Sequence, residues 1–322
     1  MSSIGSIGSR LRDRAGAHSS LGDRVMYALC ATGGLIAAAV IAEMIYQVVH
    51  GAGPAISRDG LAFVLHSRWN PFFNRFGGGQ GLYGTLVSSA IALVLATPLG
   101  ISIGLYLGVM ASPRVRAVVG PLVEMLAAVP SVIVGFWGVI VLAPFVAHHV
   151  EPFLHGALGF IPIFGTPQTT GLSLFTAGLT LTLMVLPIIA ALSRDLFLTV
   201  PRELTDGAAA LGATRWEVIR GVVLPTTAAG VAAAVVLGLG RALGEAIAVL
   251  QVIGGGHGIS RNLFLPSDAL APRIAQEFLS PEGQEIPALF YLALILLVIE
   301  LVISVVARRI AGRFSVHRTV TT

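Results

Sequence analysis

Lysine is absent from all 322 residues. A phosphate-binding P-loop uses a lysine to reach the phosphates, so this chain holds no such loop, and any ATP that drives it is hydrolysed on another chain. Cysteine is reduced to one, Cys30, which sits inside an apolar stretch. No intrachain disulfide can form, and the redox compartment is not legible from it. Charge is scarce as well: 11% of residues are Asp, Glu, Lys or Arg, against 55% hydrophobic. A soluble core cannot hide that much apolar surface, so the chain belongs in a bilayer. The small excess of charge, formally +4, is carried by 20 arginines. In a soluble protein that balance would suggest nucleic acid, and here its placement decides the matter.

Residues 1–24 are rich in Ser, Gly and Arg without an apolar period, and read as a disordered cytoplasmic tail. Val25 to Val49 is too long for the core of a signal peptide and long enough to span, so 25–49 reads as a first transmembrane helix. Glu43, near its outer end, can snorkel. An extracytoplasmic loop follows at 50–81, with a semi-apolar run from Leu61 to Trp69 and glycines at 77 to 79. Within a core of 82–309, five further spans lie at roughly 82–110, 130–147, 171–192, 227–253 and 286–307 by the same length criterion. The expected fold is all-α, a polytopic membrane protein with six transmembrane helices. Val115 to Val129 forms a separate helix along the inner surface, and 310–322 is a second cytoplasmic tail.

Arginine placement sets the orientation. Fourteen lie in the N-terminal tail, the loop after span two, the 201–225 loop with Arg194, and the C-terminal tail; five, Arg58, Arg68, Arg75, Arg261 and Arg273, lie on the other side. Both termini are therefore expected in the cytoplasm. The basic charge meets anionic headgroups of the inner leaflet, which removes the need for a nucleic-acid partner. His148, His149, Glu151 and His155 fall in the outer loop after span three; their spacing fits no zinc pattern, so they read as solvated loop residues.

Pro201 to Pro225 is the longest strongly polar interruption of the apolar pattern. It reads as two short helices: Pro201 suits a first turn, Gly212 ends the first helix, and Thr214 with Glu217 forms a capping box for the second. Gly207, Ala208, Ala209 and Ala210 leave one side of the first helix nearly bare. That suits a helix slotting into a groove on another protein, and equally an ordinary linker. Two spans tether the unit to the membrane, which argues against a DNA-reading helix-turn-helix.

Span five places Arg241 and Glu245 near the middle of an apolar helix. A central arginine costs about 2.5 to 3.5 kcal/mol on insertion scales, so it faces protein or water. A spacing of four puts both on one face, where they can pair. Since a buried ion pair is weak evidence of stability, function is the favoured explanation. Gly240 and Gly244 form a GxxxG step about 100° away, which allows a second helix to approach closely. Pro130 and the glycines after it loosen the start of span three.

Several of these stretches resemble one family. Asp206, Gly207, Ala208, Gly212, Val222, Leu224 and Pro225 stand like the EAA signature of ABC importer permeases, with Asp206 in place of the usual glutamate and Gly207 in place of the first alanine. Trp69, Pro71, Phe76, Gly77 and Tyr83 to Leu86 resemble the permeases of the phosphate-specific transport system. So do Pro130, Ser131, Gly135, Trp137 and Gly138, and the run Leu239 to Val249, the PstC type more closely than the PstA type. The resemblance implies a type I ABC importer permease fold in the bacterial cytoplasmic membrane, and transport rather than enzyme activity. It implies a second, homologous PstA-type permease, PstB-type ATPase subunits holding ATP and Mg²⁺, an extracytoplasmic PstS-type phosphate-binding protein, and inorganic phosphate as cargo. Asp206, Ala208, Gly212, Leu224 and Pro225 would couple to the ATPase. Arg241 would supply a forked cation for the crossing anion while Glu245 holds it in place; Pro130, Ser131, Trp137, Gly240 and Gly244 would pack helices or line the path. A permease for another oxyanion, such as sulfate, molybdate or phosphonate, is the alternative. A membrane enzyme acting on lipid phosphates lacks support, because no nucleophile stands with a base and orienter in motif spacing.

Overall fold

A computed structural model describes residues 21–279, 281 and 285–313. Most of the two expected tails, residues 1–20 and 314–322, lies outside the described residues; 21–24 and 310–313 are helical. Among the described residues no strand occurs, and six helices are long and apolar enough to cross a membrane.

The chain divides into two units, residues 1–50 and 51–322. The described part of the first is one helix, the beginning of α1 (Leu21–Asp59). Its apolar residues run all round: Leu29, Leu35, Ile36 and Ile41 are all exposed. A helix without a polar face suits lipid.

In the second unit the helices are α2 (Ala62–Leu65), α3 (Gly79–Met110), α4 (Pro113–Ala127), α5 (Ser131–Leu158), α6 (Leu174–Leu198) and α7 (Arg202–Ala210). They are followed by α8 (Arg215–Gly244), α9 (Ile247–Val252), α10 (Leu270–Glu277) and α11 (Glu285–Arg313). The central helix is α6, capped at its start by Ser173, whose Oγ accepts from Thr176 N. It lies against α3 where glycines remove side chains: a Cβ on Gly104 would stand 2.8 Å from the Ala190 carbonyl oxygen, and one on Gly178 would stand 2.7 Å from Ile91. In a bilayer, where lipid is as apolar as leucine, such close packing drives helix association.

The amphipathic α4 is a separate helix over most of the stretch Val115 to Val129, where one was expected. Ser112 caps it, and Arg194 of α6 clamps it by contacting Glu124 at 2.6 Å and its own neighbour Asp195 at 2.7 Å. At the opposite end of the bundle a polar network joins distant segments. Arg273 contacts both Asp268 and Glu277 and lies over the Trp69 ring, while Trp69 Nε1 donates to Glu285 at 3.1 Å.

Several boundaries differ from the sequence reading: the first helix runs on to Asp59, into the expected loop at 50–81, and span four to Leu198 instead of 192. The helix of span three continues to Leu158, so His148, His149, Glu151 and His155 are helical and not in a loop. Glu151 is fully buried, accepting from Gln168 N and Ser173 Oγ, and this partnering is what lets a carboxylate extend an apolar helix. Span five begins at Arg215, because the second helix of the polar loop runs on through a wide turn at Ile219–Val223 without a break. It then stops at Gly244, short of the expected 253.

Candidate functional site

The polar loop folds from its local chemistry. Gly212 takes φ 86°, the left-handed conformation that glycine adopts without steric penalty. Its N–H donates to Ala209 O, and the Ala213 N–H donates to Ala208 O, which together close α7 in a Schellman motif. The capping box is formed as expected: Thr214 N donates to Glu217 Oε2 at 2.7 Å, and Glu217 N donates to Thr214 Oγ1. No residue of α7 is buried, so Asp206 and the bare side at Gly207 are presented outward. Leu204, Leu211 and Trp216 are also exposed, Leu211 by 92%. Sequence reasoning passed over Leu204 and Trp216, although a tryptophan inside a polar loop is a readable sign of a contact surface.

The loop is fastened behind this surface. Ile219 and Val223 are buried, and Val223 packs with Phe197 of α6 and Val231. Leu224 and Pro225 lie within α8, directly after its wide turn. From Arg215 to Arg241 the chain is one helix, a rise of roughly 39 Å at the standard pitch.

At the far end of α8 the helix breaks. Glu245 has ψ 120°, and α9 begins at Ile247. Sequence spacing implied two charges on one continuous helical face; instead Glu245 leaves the helix and caps the next one, its Oε1 accepting from Ala248 N at 3.3 Å. Its other oxygen, Oε2, remains 3.7 Å from Arg241 Nη2. The pair is asymmetric: the Glu245 side chain is 7% exposed and the Arg241 side chain 43%. Glu245 is fixed, and the arginine reaches out.

Arg241 reaches the wall of a cavity of about 300 Å³. Its other lining comes from the end of α4 and Val129, from Ile133, Val134 and Trp137 of α5, and from α6 near Pro187; among the described residues Arg241 is the one charged residue on that wall. Pro130 and Ser131 start α5 beside this space. Gly135 and Gly138 let α5 pack tightly on α9: a Cβ on either would stand 2.8 Å from Ala248 Cα or Val252 Cγ1 respectively. Arg241, Glu245, Trp137 and the Pro130 segment are therefore brought together. Among the described residues nothing stands within 4 Å of a Cβ placed on Gly244, and one on Gly240 would meet only Glu300 Oε1 at 3.6 Å. Glu300, a carboxylate within the apolar run of α11, is a charge that sequence reasoning overlooked.

This arrangement joins an exposed turn, a continuous helix and a cation on a cavity wall. Residues 100–316, which contain all three, match the family described as binding-protein-dependent transport system inner membrane component. The chain belongs to this family. Relatives within it include the phosphate transport system permease protein PstC of Pasteurella multocida, 40% identical over 85% of this chain and 87% of that protein. Another is the PstC protein of Mesorhizobium japonicum, 38% identical over 92% of each. Among solved structures, the fold is similar to one of inward-facing MetNI methionine ABC transporter, with TM-score 0.51 and 21% identity over 74% of this chain and 94% of that one. As a member of this family the chain is a multi-pass transport component of the inner membrane and not an enzyme. Among the described residues no cluster of three His, Cys, Asp or Glu side chains is placed to hold a metal ion.

Proposed function

We propose that the chain is the PstC-type permease subunit of an ATP-driven importer of inorganic phosphate. The observation that carries this reading is Arg241, among the described residues the lone charge on the wall of an otherwise apolar cavity at a helix break. A guanidinium offers several N–H donors in a fixed fork that matches the oxygens of a phosphate, and it stays charged at any working pH. In an apolar surround such a contact is strong, and Glu245 at 3.7 Å takes the charge back when the anion leaves. The relatives named PstC support the choice of cargo.

In this reading a homologous PstA-type permease completes the path, and PstB-type ATPase subunits, which hold ATP and Mg²⁺, receive Asp206, Ala208 and the exposed Leu211 in a surface groove. A PstS-type phosphate-binding protein delivers cargo from outside. Both termini and the 201–225 loop lie in the cytoplasm, as the arginine distribution supports. ATPase closure and opening would move the loop, and α8 would carry that movement to Arg241.

Uptake of labelled phosphate at low external concentration, in cells lacking the gene, tests the cargo. Loss of phosphate uptake with normal sulfate uptake, rescued by the intact gene, is expected. A sulfate defect with normal phosphate uptake would overturn the assignment.

A further inference from the structure

A second basic cavity lies away from Arg241. A cleft of about 510 Å³ is lined by Asp59, His66, Arg68, Asn74 and Arg75 among others. Asp59 is already engaged by Arg58, through Nε at 3.0 Å and Nη2 at 2.6 Å. Arg68 and Arg75 are exposed, and among the described residues neither has a carboxylate within ion-pair distance. The cleft thus presents two uncommitted guanidinium groups and an imidazole.

Its rim is apolar and rigid. Asn70 and Arg75 pair through both backbone bonds, Asn70 Oδ1 accepts from Phe73 N, and Asn74 turns the chain at φ 48°. This tight hairpin holds Phe72 and Phe73 outward, 84% and 74% exposed. Beside it Leu61 and Leu65 are 83% and 82% exposed.

Contacts with α11 set the depth of this segment. Phe63 stacks on Tyr291 at 4.5 Å, Tyr291 Oη donates to Gly60 O, and a Cβ on Gly78 would meet Phe63, Leu292 and Ile295. Trp69 is tied to Glu285, the first residue of α11. Tyr291 to Ile295 lie roughly 9 to 15 Å along the helix from that end. The cleft and its rim therefore sit at the boundary between headgroups and acyl chains, where tryptophan and arginine anchors belong.

We propose that this cleft binds the phosphate of an anionic phospholipid, with Arg68 and Arg75 on the headgroup and Leu61, Leu65, Phe72 and Phe73 along the acyl chains. A water-soluble anion would leave the four apolar side chains without a partner, and so would an acidic protein face. A lipid satisfies both halves of the surface.

The test uses the assembled importer purified in detergent, probed with phosphatidylglycerol and phosphatidylcholine by native mass spectrometry. Phosphatidylglycerol should be retained in preference. Losing a charge-assisted hydrogen bond from each guanidinium to the phosphate means that the double variant Arg68→Gln with Arg75→Gln should weaken it by at least about tenfold. The double Lys variant, which keeps the charge, should retain most binding, and Phe72→Ser with Phe73→Ser should weaken both lipids. Unchanged phosphatidylglycerol retention in the Gln variant would overturn the proposal. Displacement of the lipid by inorganic phosphate would show a site for the free ion and also overturn it. Loss of binding-protein association in the Gln variant, with lipid retention intact, would reassign the surface to protein docking.

Discussion

Removing Arg273 would strand a buried carboxylate. The Asp268 side chain is 10% exposed and that of Arg273 14%, and the arginine also contacts Glu277 and covers Trp69. Breaking a buried pair by deleting one partner destabilises by about 3 to 5 kcal/mol, because the other charge remains desolvated. At about 2 to 4 °C per kcal/mol for a chain of this size, Arg273→Ala should lower the melting temperature in detergent by about 10 °C. Adding Asp268→Asn should recover more than half of that, since the Asn oxygen keeps the bond from Ala269 N. The pH dependence has a definite sign. Burial raises the Asp268 carboxyl above its ordinary range, while Arg273 pulls it back. A raised folded value means that the group's contribution is full below the ordinary carboxylate range and is lost as pH rises through that raised value. The Arg273→Ala deficit should therefore be larger at pH 8 than at pH 5. Equal melting of the variant and the parent, or a double variant no better than the single, would refute the reasoning.

Other outcomes follow from the same geometry. Gly135→Leu should cost about 1 to 3 kcal/mol by overpacking α5 against α9, seen as less folded protein in membranes. Gly212→Val forces a β-branched residue into φ 86° and should lower transport-coupled ATPase activity, with a local penalty of about 1 to 2 kcal/mol. Glu245→Gln should admit sulfate better in competition assays, because the carboxylate accepts hydrogen bonds only and favours an anion that still carries a proton; equal discrimination would count against that role.

Much of this architecture was legible because a bilayer imposes simple rules. Length and hydropathy alone located six spans, and the Gly212, Thr214 and Glu217 positions stated the turn between α7 and α8 outright. The break at Glu245 was not legible. Gly244 is a weak local stop within an otherwise apolar run, and the break is completed by the bond from Ala248 N to the Glu245 side chain and by the packing of α9 on Gly135 and Gly138, which no local pattern announces. Glu151 misled for a related reason, since its partners at Gln168 and Ser173 are distant enough that no local pattern announces them. The cleft at Arg68 and Arg75 depends on a hairpin whose depth only the contacts with α11 establish.

The central claim is that Arg241 contacts the crossing anion. Phosphate uptake into proteoliposomes holding the assembled importer, measured for the parent, Arg241→Ala and Arg241→Lys alongside binding-protein-stimulated ATP hydrolysis, tests it directly. The account predicts that Arg241→Ala abolishes uptake while stimulated hydrolysis persists, and that Arg241→Lys keeps only part of the uptake because it loses the fork. Uptake by Arg241→Ala at the parent rate would contradict it.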